Sequence, residues 1–429
     1  MQPQARVGLF ALWVRLFSFR NPDYAILGPK KVGSDGEMSG IKSRLELLKE
    51  LAERLARRRE ELVAAAGKDM GAPATIAGLE VDLAADYLRT MAVEAPHVRG
   101  KSPYGTVAAV FPYDAPPIML ARVGGSAILG GNRFRFSLSS QTPRTARLLA
   151  EVVAPFPEFE AVTGVDNRKF GEDCVEDPEV RVFFISGGGQ LGAAYAEKAL
   201  AFDKLFFAGP SGLPPVILFR DAPLDKAVPF MVRRAFINGG QYCTTLKRAY
   251  IHRAIYPEVK ARVLAMMPEI KVGAPEDPVT WIGPIRVSRT RALLDRALEA
   301  LKEPKFLWPY QREGEWQGPF LVETPEPPEV ELFGPFLALC PVADDEEAAA
   351  KVLRSRYPFL VSFFGTPPPG AKEKFKDTFG MVYDNPDFLF TPLRLPFGGK
   401  GASGWILENR GGQLVKRDGA FIYSQELVR

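Results

Sequence analysis

Residues 181–192 read RVFFISGGGQLG, an apolar run that meets three consecutive glycines and then Gly192. Arg181 to Ser186 has the β-branched and aromatic content of a buried strand, and helical periodicity follows it through Leu200. Toward the N-terminus, Thr106 to Phe111 (TVAAVF) is another apolar strand, halted by Pro112 and the Pro116-Pro117 pair. Arg133 to Leu138 is a third, ending in Ser139-Ser140-Gln141-Thr142-Pro143, where a serine or threonine is expected to cap a helix over 143–153. Leu45, Leu48, Leu51, Leu55 and Leu62 mark an amphipathic helix ending near Gly67, and a further helix covers about 79–93. Toward the C-terminus come strand Val216 to Phe219, helix Leu224 to Phe236, strand Ala249 to His252 and helix Pro257 to Met267. Strand Phe336 to Leu339 and a terminal strand Ala420 to Tyr423 complete the pattern. Strands alternating with helices at this spacing predict parallel sheet covered on both faces.

Composition narrows the class. At 429 residues, with 46% hydrophobic and 25% charged residues, the chain can build large cores. The balance of 55 basic against 51 acidic residues, a net +4, argues against a nucleic-acid partner. No stretch is long and apolar enough for a membrane span. Cys174, Cys243 and Cys340 are too few for a disulfide framework, which suits a reduced, cytoplasmic setting, and His97 and His252 alone leave little for a metal site. Leu9 to Phe19 (LFALWVRLFSF) is apolar but broken by Arg15 and lacks a small-residue cleavage site; the expectation is an initiator at Met38 rather than a secretory signal. Gly209-Pro210-Ser211-Gly212 breaks the alternation. The domains expected are an N-terminal extension (1–40), a nucleotide-binding domain (41–208), a catalytic domain (209–396) and a C-terminal return (397–429).

Gly187, Gly189 and Gly192 spell G-x-G-x-x-G between strand and helix, the context in which backbone amides hold a pyrophosphate. No carboxylate follows in 205–215, so on this motif alone the loop either binds a nucleotide or merely turns tightly. Cys243 lies in Asn238-Gly-Gly-Gln-Tyr-Cys-Thr244, ahead of Lys247-Arg248. Glycines permit close substrate approach, and nearby cations favour thiolate, so Cys243 is the candidate nucleophile. Cys340, inside an apolar strand, reads as a packed hydrophobe, and Cys174, among acids, as surface filler.

These residues, with Asp221-Ala222, Leu224-Asp225-Lys226-Ala227, Glu331-Leu-Phe-Gly-Pro335, Phe379-Gly380, Asn385, Pro396-Phe-Gly-Gly-Lys400 and Ser403-Gly404, run in an order that resembles the aldehyde dehydrogenase superfamily over about 41–429. The resemblance implies a Rossmann-like parallel-sheet domain, an α/β catalytic domain and a terminal oligomerisation strand, with a homo-oligomer as the assembly. It also implies NAD- or NADP-dependent oxidation of a small aldehyde through a Cys243 thioester.

Residue by residue, the resemblance shows departures as well as matches. Asp114, after Pro112-Tyr113, stands where the family has an oxyanion-holding asparagine; an ionised carboxylate opposes that charge and only a protonated one donates to it. Gly209 stands where the family's water-activating glutamate would be. Hydrolysis is thereby lost or reassigned, which leaves coenzyme A as an acyl acceptor, reduction of an acyl thioester, or phosphate. Ser137 and Ser140 replace the adenine-ribose lysine and glutamate, so a 2′-phosphate is tolerated, with Arg133 or Arg135 as its partner or as a solvated edge arginine. Tyr113, Gly187, Gly188, Gly192, Glu331 and Phe333 complete the expected cofactor contacts. The alternative function is a catalytically impaired binding or scaffold protein that keeps the fold.

Overall fold

The computed structural model describes residues 35–187, 189–302, 304–410 and 413–429. The stretch Leu9 to Phe19 and Gly188 lie outside the described residues, and Met38 falls within the first helix, Asp35–Arg57.

Thr106–Phe111 (β1) is buried along its whole length, which requires cover on both faces. Val107, Ala109 and Phe111 pack with Leu48, Leu51 and Leu55 of the N-terminal helices. Ala108 and Val110 face the opposite core, with Phe183, Phe206 and Cys174. Around β1 stand β2 (Arg133–Leu138), β3 (Phe159–Val162), β4 (Val180–Ile185) and β5 (Leu205–Ala208), parallel and in the order β5-β4-β1-β2-β3. From β1 the chain runs outward one way to β3 and then crosses to β4 and β5 on the other side. The carboxyl ends of β1 and β4 therefore flank a topological switch point, where open α/β sheets bind ligands.

The second sheet holds β6 (Pro215–Leu218), β7 (Arg248–His252), β8 (Lys305–Phe306), β9 (Phe320–Glu323), β10 (Phe336–Val342), β11 (Leu360–Phe364) and β12 (Met381–Asp384). Their order is β8-β9-β10-β7-β6-β11-β12, parallel apart from the antiparallel edge strand β8. The chain then returns to the first sheet. A hairpin of β13 (Trp405–Arg410) and β14 (Gln413–Arg417) adds antiparallel to β5 and completes seven strands there. No helix among the described residues is long and apolar enough to cross a membrane.

Several expectations are corrected. The first long helix breaks at Arg58 into Asp35–Arg57 and Arg59–Met70, and Gly71 closes the second in the left-handed conformation (φ 76°). No serine or threonine caps Pro143–Val153: the Asp69 carboxylate, remote in sequence, accepts from the amides of Arg144 (3.4 Å) and Thr145 (2.8 Å). Cys174 is buried in the core rather than surface filler, and burial pushes its thiol up to about 12. Ala420 to Tyr423 is no strand. Phe421 forms a single bridge to Phe397, after which Tyr423 opens a short helix with its ring against Phe184 (5.6 Å). That segment prefers burial on the core to an exposed edge.

Gly192 sets how closely helix Gly189–Ala201 lies on the sheet, because a β-carbon there would stand 2.5 Å from the Ala208 β-carbon. Gly192→Ala is expected to lower unfolding stability by about 1–3 kcal/mol, the usual range for overpacking. A denaturant midpoint unchanged from wild type contradicts this packing.

Candidate active site

The carboxyl edge of the first sheet faces the amino edge of the second, and Cys243 lies in the loop entering β7. Helix Leu224–Phe236 ends in Asn238 (φ 51°), Gly239 (φ 59°) and Gly240 (φ 67°), consecutive left-handed residues that reverse the chain. At Gly240 a side chain is excluded outright, since its β-carbon would meet Gly334 O at 2.0 Å. The buried Lys247 ammonium fastens this turn by donating to Gly240 O (2.8 Å) and Gly334 O (2.7 Å). Gln241 Nε2 donates to Met70 O (3.3 Å), and the buried Tyr242 hydroxyl donates to Glu80 Oε1.

The expected cations are not beside the sulfur. Lys247 is spent on carbonyls, and Arg248 pairs with Glu329 and Ser355. Burial pushes the half-buried Cys243 thiol well above its ordinary range, and the Asp114 charge adds to this. Arg234 and Arg122 pull it back in part. Both arginines pin the segment from Leu389 to Leu395: Arg234 donates to Leu389 O and Thr391 Oγ1, and Arg122 to Leu393 O (2.7 Å) and Leu395 O (3.1 Å). Cys243, like Phe388, Leu395 and Ala420, packs against the core group of Phe359, Leu360, Met381, Tyr383 and Phe397, and Met381, Tyr383, Asn385, Phe388, Leu395 and Ala420 line a cavity of about 550 Å³. Asn385 itself is a turn residue (φ 45°), accepting from the Gly365 amide (3.2 Å).

Asp114 follows β1 and is buried. The backbone amides of Asp114 itself and of Cys243 favour the ionised form of its carboxyl group. Burial raises it to about 6 against the pull of those amides, and the Glu331 charge lifts it further. Glu80, which sequence reasoning missed, is raised to about 8 by burial, Tyr242 pulling down and Asp114 pushing up. Nothing but an acid inside an amphipathic helix marks it in sequence.

Tyr113, Glu331 and Phe333 are brought together. The Tyr113 hydroxyl pairs with Thr290 Oγ1 (2.7 Å), its ring lies 6.2 Å from that of Phe333, and Glu331 Oε1 accepts from Ser211 (2.7 Å). At the switch point Ser186 Oγ is buried without a hydrogen-bond partner, next to Gly187 and the amino end of helix Gly189–Ala201. An orphaned donor at a helix N-terminus fits a pyrophosphate. Ser137 ends β2 with its hydroxyl on Asn167 Oδ1 (2.7 Å), whereas Ser140 is exposed. Arg135 is not a free partner for a 2′-phosphate, because Glu160 and Asp177 each hold it at 2.7 Å.

The profile of the aldehyde dehydrogenase family matches residues 36–416. This chain belongs to the aldehyde dehydrogenase family. It is 26% identical to the 3-sulfolactaldehyde dehydrogenase of Priestia aryabhattai over 391 residues, 84% of this chain and 81% of that protein. It is 30% identical to the D-glyceraldehyde dehydrogenase (NADP(+)) of Picrophilus torridus over 306 residues, 66% of this chain and 61% of that one. In fold it resembles the lactaldehyde dehydrogenase of Escherichia coli, with TM-score 0.79 at 22% identity, covering 92% of this chain and 86% of that one.

Gly209 is fixed by its surroundings. Its φ is +98°, and a β-carbon would stand 2.6 Å from Ser403 O and 2.9 Å from the Gly404 α-carbon. The backbone leaves no room for any side chain here.

Glu80 gives a pH signature. Its folded-state pKa is raised from 4.5 to about 8, so the folded protein holds a proton the unfolded chain releases. Its contribution to stability is whole below about 4.5 and is lost as pH rises toward 8. Glu80→Gln, neutral throughout, is expected to flatten this decline and to be the more stable form at pH 8–9. Parallel melting-temperature curves for both proteins from pH 5 to 9 contradict it.

Proposed function

We propose that this aldehyde dehydrogenase oxidises a small aldehyde through a thioester on Cys243 and passes the acyl group to an external thiol, coenzyme A being the acceptor class, rather than to water. The observation that carries the reading is Gly209, whose backbone contact with Ser403 and Gly404 leaves neither a proton acceptor nor space for one. A thioester without an adjacent base hydrolyses slowly but still exchanges with a strong thiol nucleophile.

In this reading the first sheet with its helices is the nucleotide-binding domain and the second the catalytic domain. Ser186, Gly187 and the amino end of helix Gly189–Ala201 hold the dinucleotide pyrophosphate, and Ser137 sits toward the adenine ribose. Glu331, now engaged by Ser211, receives the nicotinamide ribose, with Phe333 and Tyr113 against the ring. Bound NAD or NADP supplies the two-electron acceptor. Cys243 Sγ bonds to the aldehyde carbon, the carbon gives up hydride and the oxygen its proton, and a thioester remains. Attack by the acceptor thiolate on that carbonyl breaks the S–C bond and returns Cys243.

A second reading, a member that binds without turning over, is favoured by the buried carboxyl group of Asp114, which puts an acceptor where an oxyanion needs a donor.

Purified protein given an aldehyde panel, NAD or NADP, with and without coenzyme A, is expected to reduce cofactor faster with the thiol. Cys243→Ala is expected to fall to background. Gly209→Glu is expected to gain no acid product and to melt earlier. Acid formation at the same rate without thiol sinks the acyl-transfer reading, and equal background rates for wild type and Cys243→Ala favour the second.

A further inference from the structure

Cys243 follows a turn whose backbone has little stiffness of its own. Asn238, Gly239 and Gly240 run in the left-handed region, and two of the three are glycines. Cys243 and Thr244 are only half-buried, whereas the residues on either side of them are buried. A sulfur carried on such a turn meets one carbon reproducibly only if side chains hold it in place.

We propose that Tyr242, anchored by the Glu80 side chain, is the positioning residue of this active site: it fixes the backbone of Cys243 on one side and the pocket segment around Phe390 on the other, so that sulfur and pocket wall keep one register. The inference rests on Cys243 being the nucleophile.

The anchor comes from far along the chain. Glu80 lies on helix Ala74–Arg89, 162 residues from Tyr242, and both side chains are buried. The Tyr242 hydroxyl donates to Glu80 Oε1. Burial raises Glu80 to about 8, so at neutral pH the acceptor is an uncharged acid and the link places no unpaired charge in the junction. On its backbone side, the Tyr242 carbonyl accepts from the Thr245 amide (3.1 Å) and the Thr245 hydroxyl (2.7 Å). Cys243 is therefore the next residue after a point held by both its side chain and its carbonyl.

The ring of Tyr242 faces the pocket segment. It meets Phe390 edge-on, with 5.7 Å between centroids. Arg234 holds the residues on both sides of Phe390, donating to Leu389 O and to Thr391 Oγ1 (2.6 Å). The same guanidinium lies 5.5 Å from the ring of Phe388, which lines the cavity. Arg234 belongs to helix Leu224–Phe236, which leads into the Cys243 turn. Helix, pocket segment, Tyr242 and turn thus form a closed circuit, and the bond to Glu80 is what ties that circuit to the first half of the chain.

The test compares three variants at pH 7. Tyr242→Phe keeps the ring and its contact with Phe390 and loses only the donor. Glu80→Leu loses the acceptor, and Glu80→Gln keeps an oxygen for the hydroxyl. In aldehyde-dependent cofactor reduction, kcat is expected to fall by about tenfold or more in Tyr242→Phe and in Glu80→Leu, within the range that a misplaced reacting atom costs. KM for the cofactor is expected to hold, and Glu80→Gln to stay near wild type. Tyr242→Phe combined with Glu80→Leu is expected to lose no more than either alone, because both break one bond. Deuterium exchange of the peptide containing Cys243 needs no turnover and is expected to quicken in Tyr242→Phe and Glu80→Leu but not in Glu80→Gln. Should Glu80→Leu not fold, Tyr242→Phe carries the comparison. Wild-type kcat in Tyr242→Phe, a Glu80→Gln as impaired as Tyr242→Phe, or exchange unchanged in every variant overturns the assignment. Cofactor reduction that survives in Cys243→Ala overturns the nucleophile instead, and exchange then decides by itself whether the anchor holds the turn.

Discussion

The buried Tyr242 hydroxyl donates to Glu80 Oε1, so the loop that enters the second sheet is tied to the helix Ala74–Arg89 that precedes the first. The sheets meet edge to edge here, and the rest of the site hangs on that junction. Tyr113 crosses it to Thr290, Gln241 to Met70 and Tyr242 to Glu80. Each tether joins elements far apart in sequence. Together they fasten the loop that carries Cys243 to the elements around the first sheet.

Electrostatically the junction is acidic and dry. Glu80 and Asp114 are raised by burial, Glu80 further by Asp114 and Asp114 further by Glu331, and the cations that sequence places nearby serve other purposes. Lys247 gives up its hydration to cross-link two loop carbonyls, a structural use of a buried amine whose pKa burial lowers well below the usual lysine range. In such surroundings burial pushes the Cys243 thiol well above its ordinary range. In the acyl-transfer reading proposed above, the loss of room at Gly209 would bear on the other half of the reaction, where water activation would be needed.

Much of this was legible in the chain. β1 and β2 coincide with the expected runs because β1 is buried along its whole length and β2 over Phe136–Leu138, and they are bounded by Pro112 or by the polar Ser139–Gln141 segment. The helix before Cys243 and its glycine turn read directly from composition, and colinear motifs identify the family. What escaped notice depends on long-range partners. Glu80 is an ordinary helical glutamate until Tyr242 reaches it, and Asp69 becomes a helix cap only when the fold carries it to Thr145. Arg135 reads as available until Glu160 and Asp177 close on it. The hairpin β13–β14 was passed over because its register depends on pairing with β5, some two hundred residues earlier. Lys247 misled for the same reason: a cation near a cysteine in sequence points elsewhere in space.

The central claim is that Cys243 carries the acyl group and keeps it until a thiol arrives. It is tested most directly by digesting the protein after incubation with an aldehyde and NAD or NADP in the absence of any thiol, then weighing the peptide that contains Cys243. The account predicts an added acyl mass on that peptide alone, discharged when coenzyme A is supplied. An unmodified Cys243 peptide in a sample whose cofactor has been reduced would contradict it.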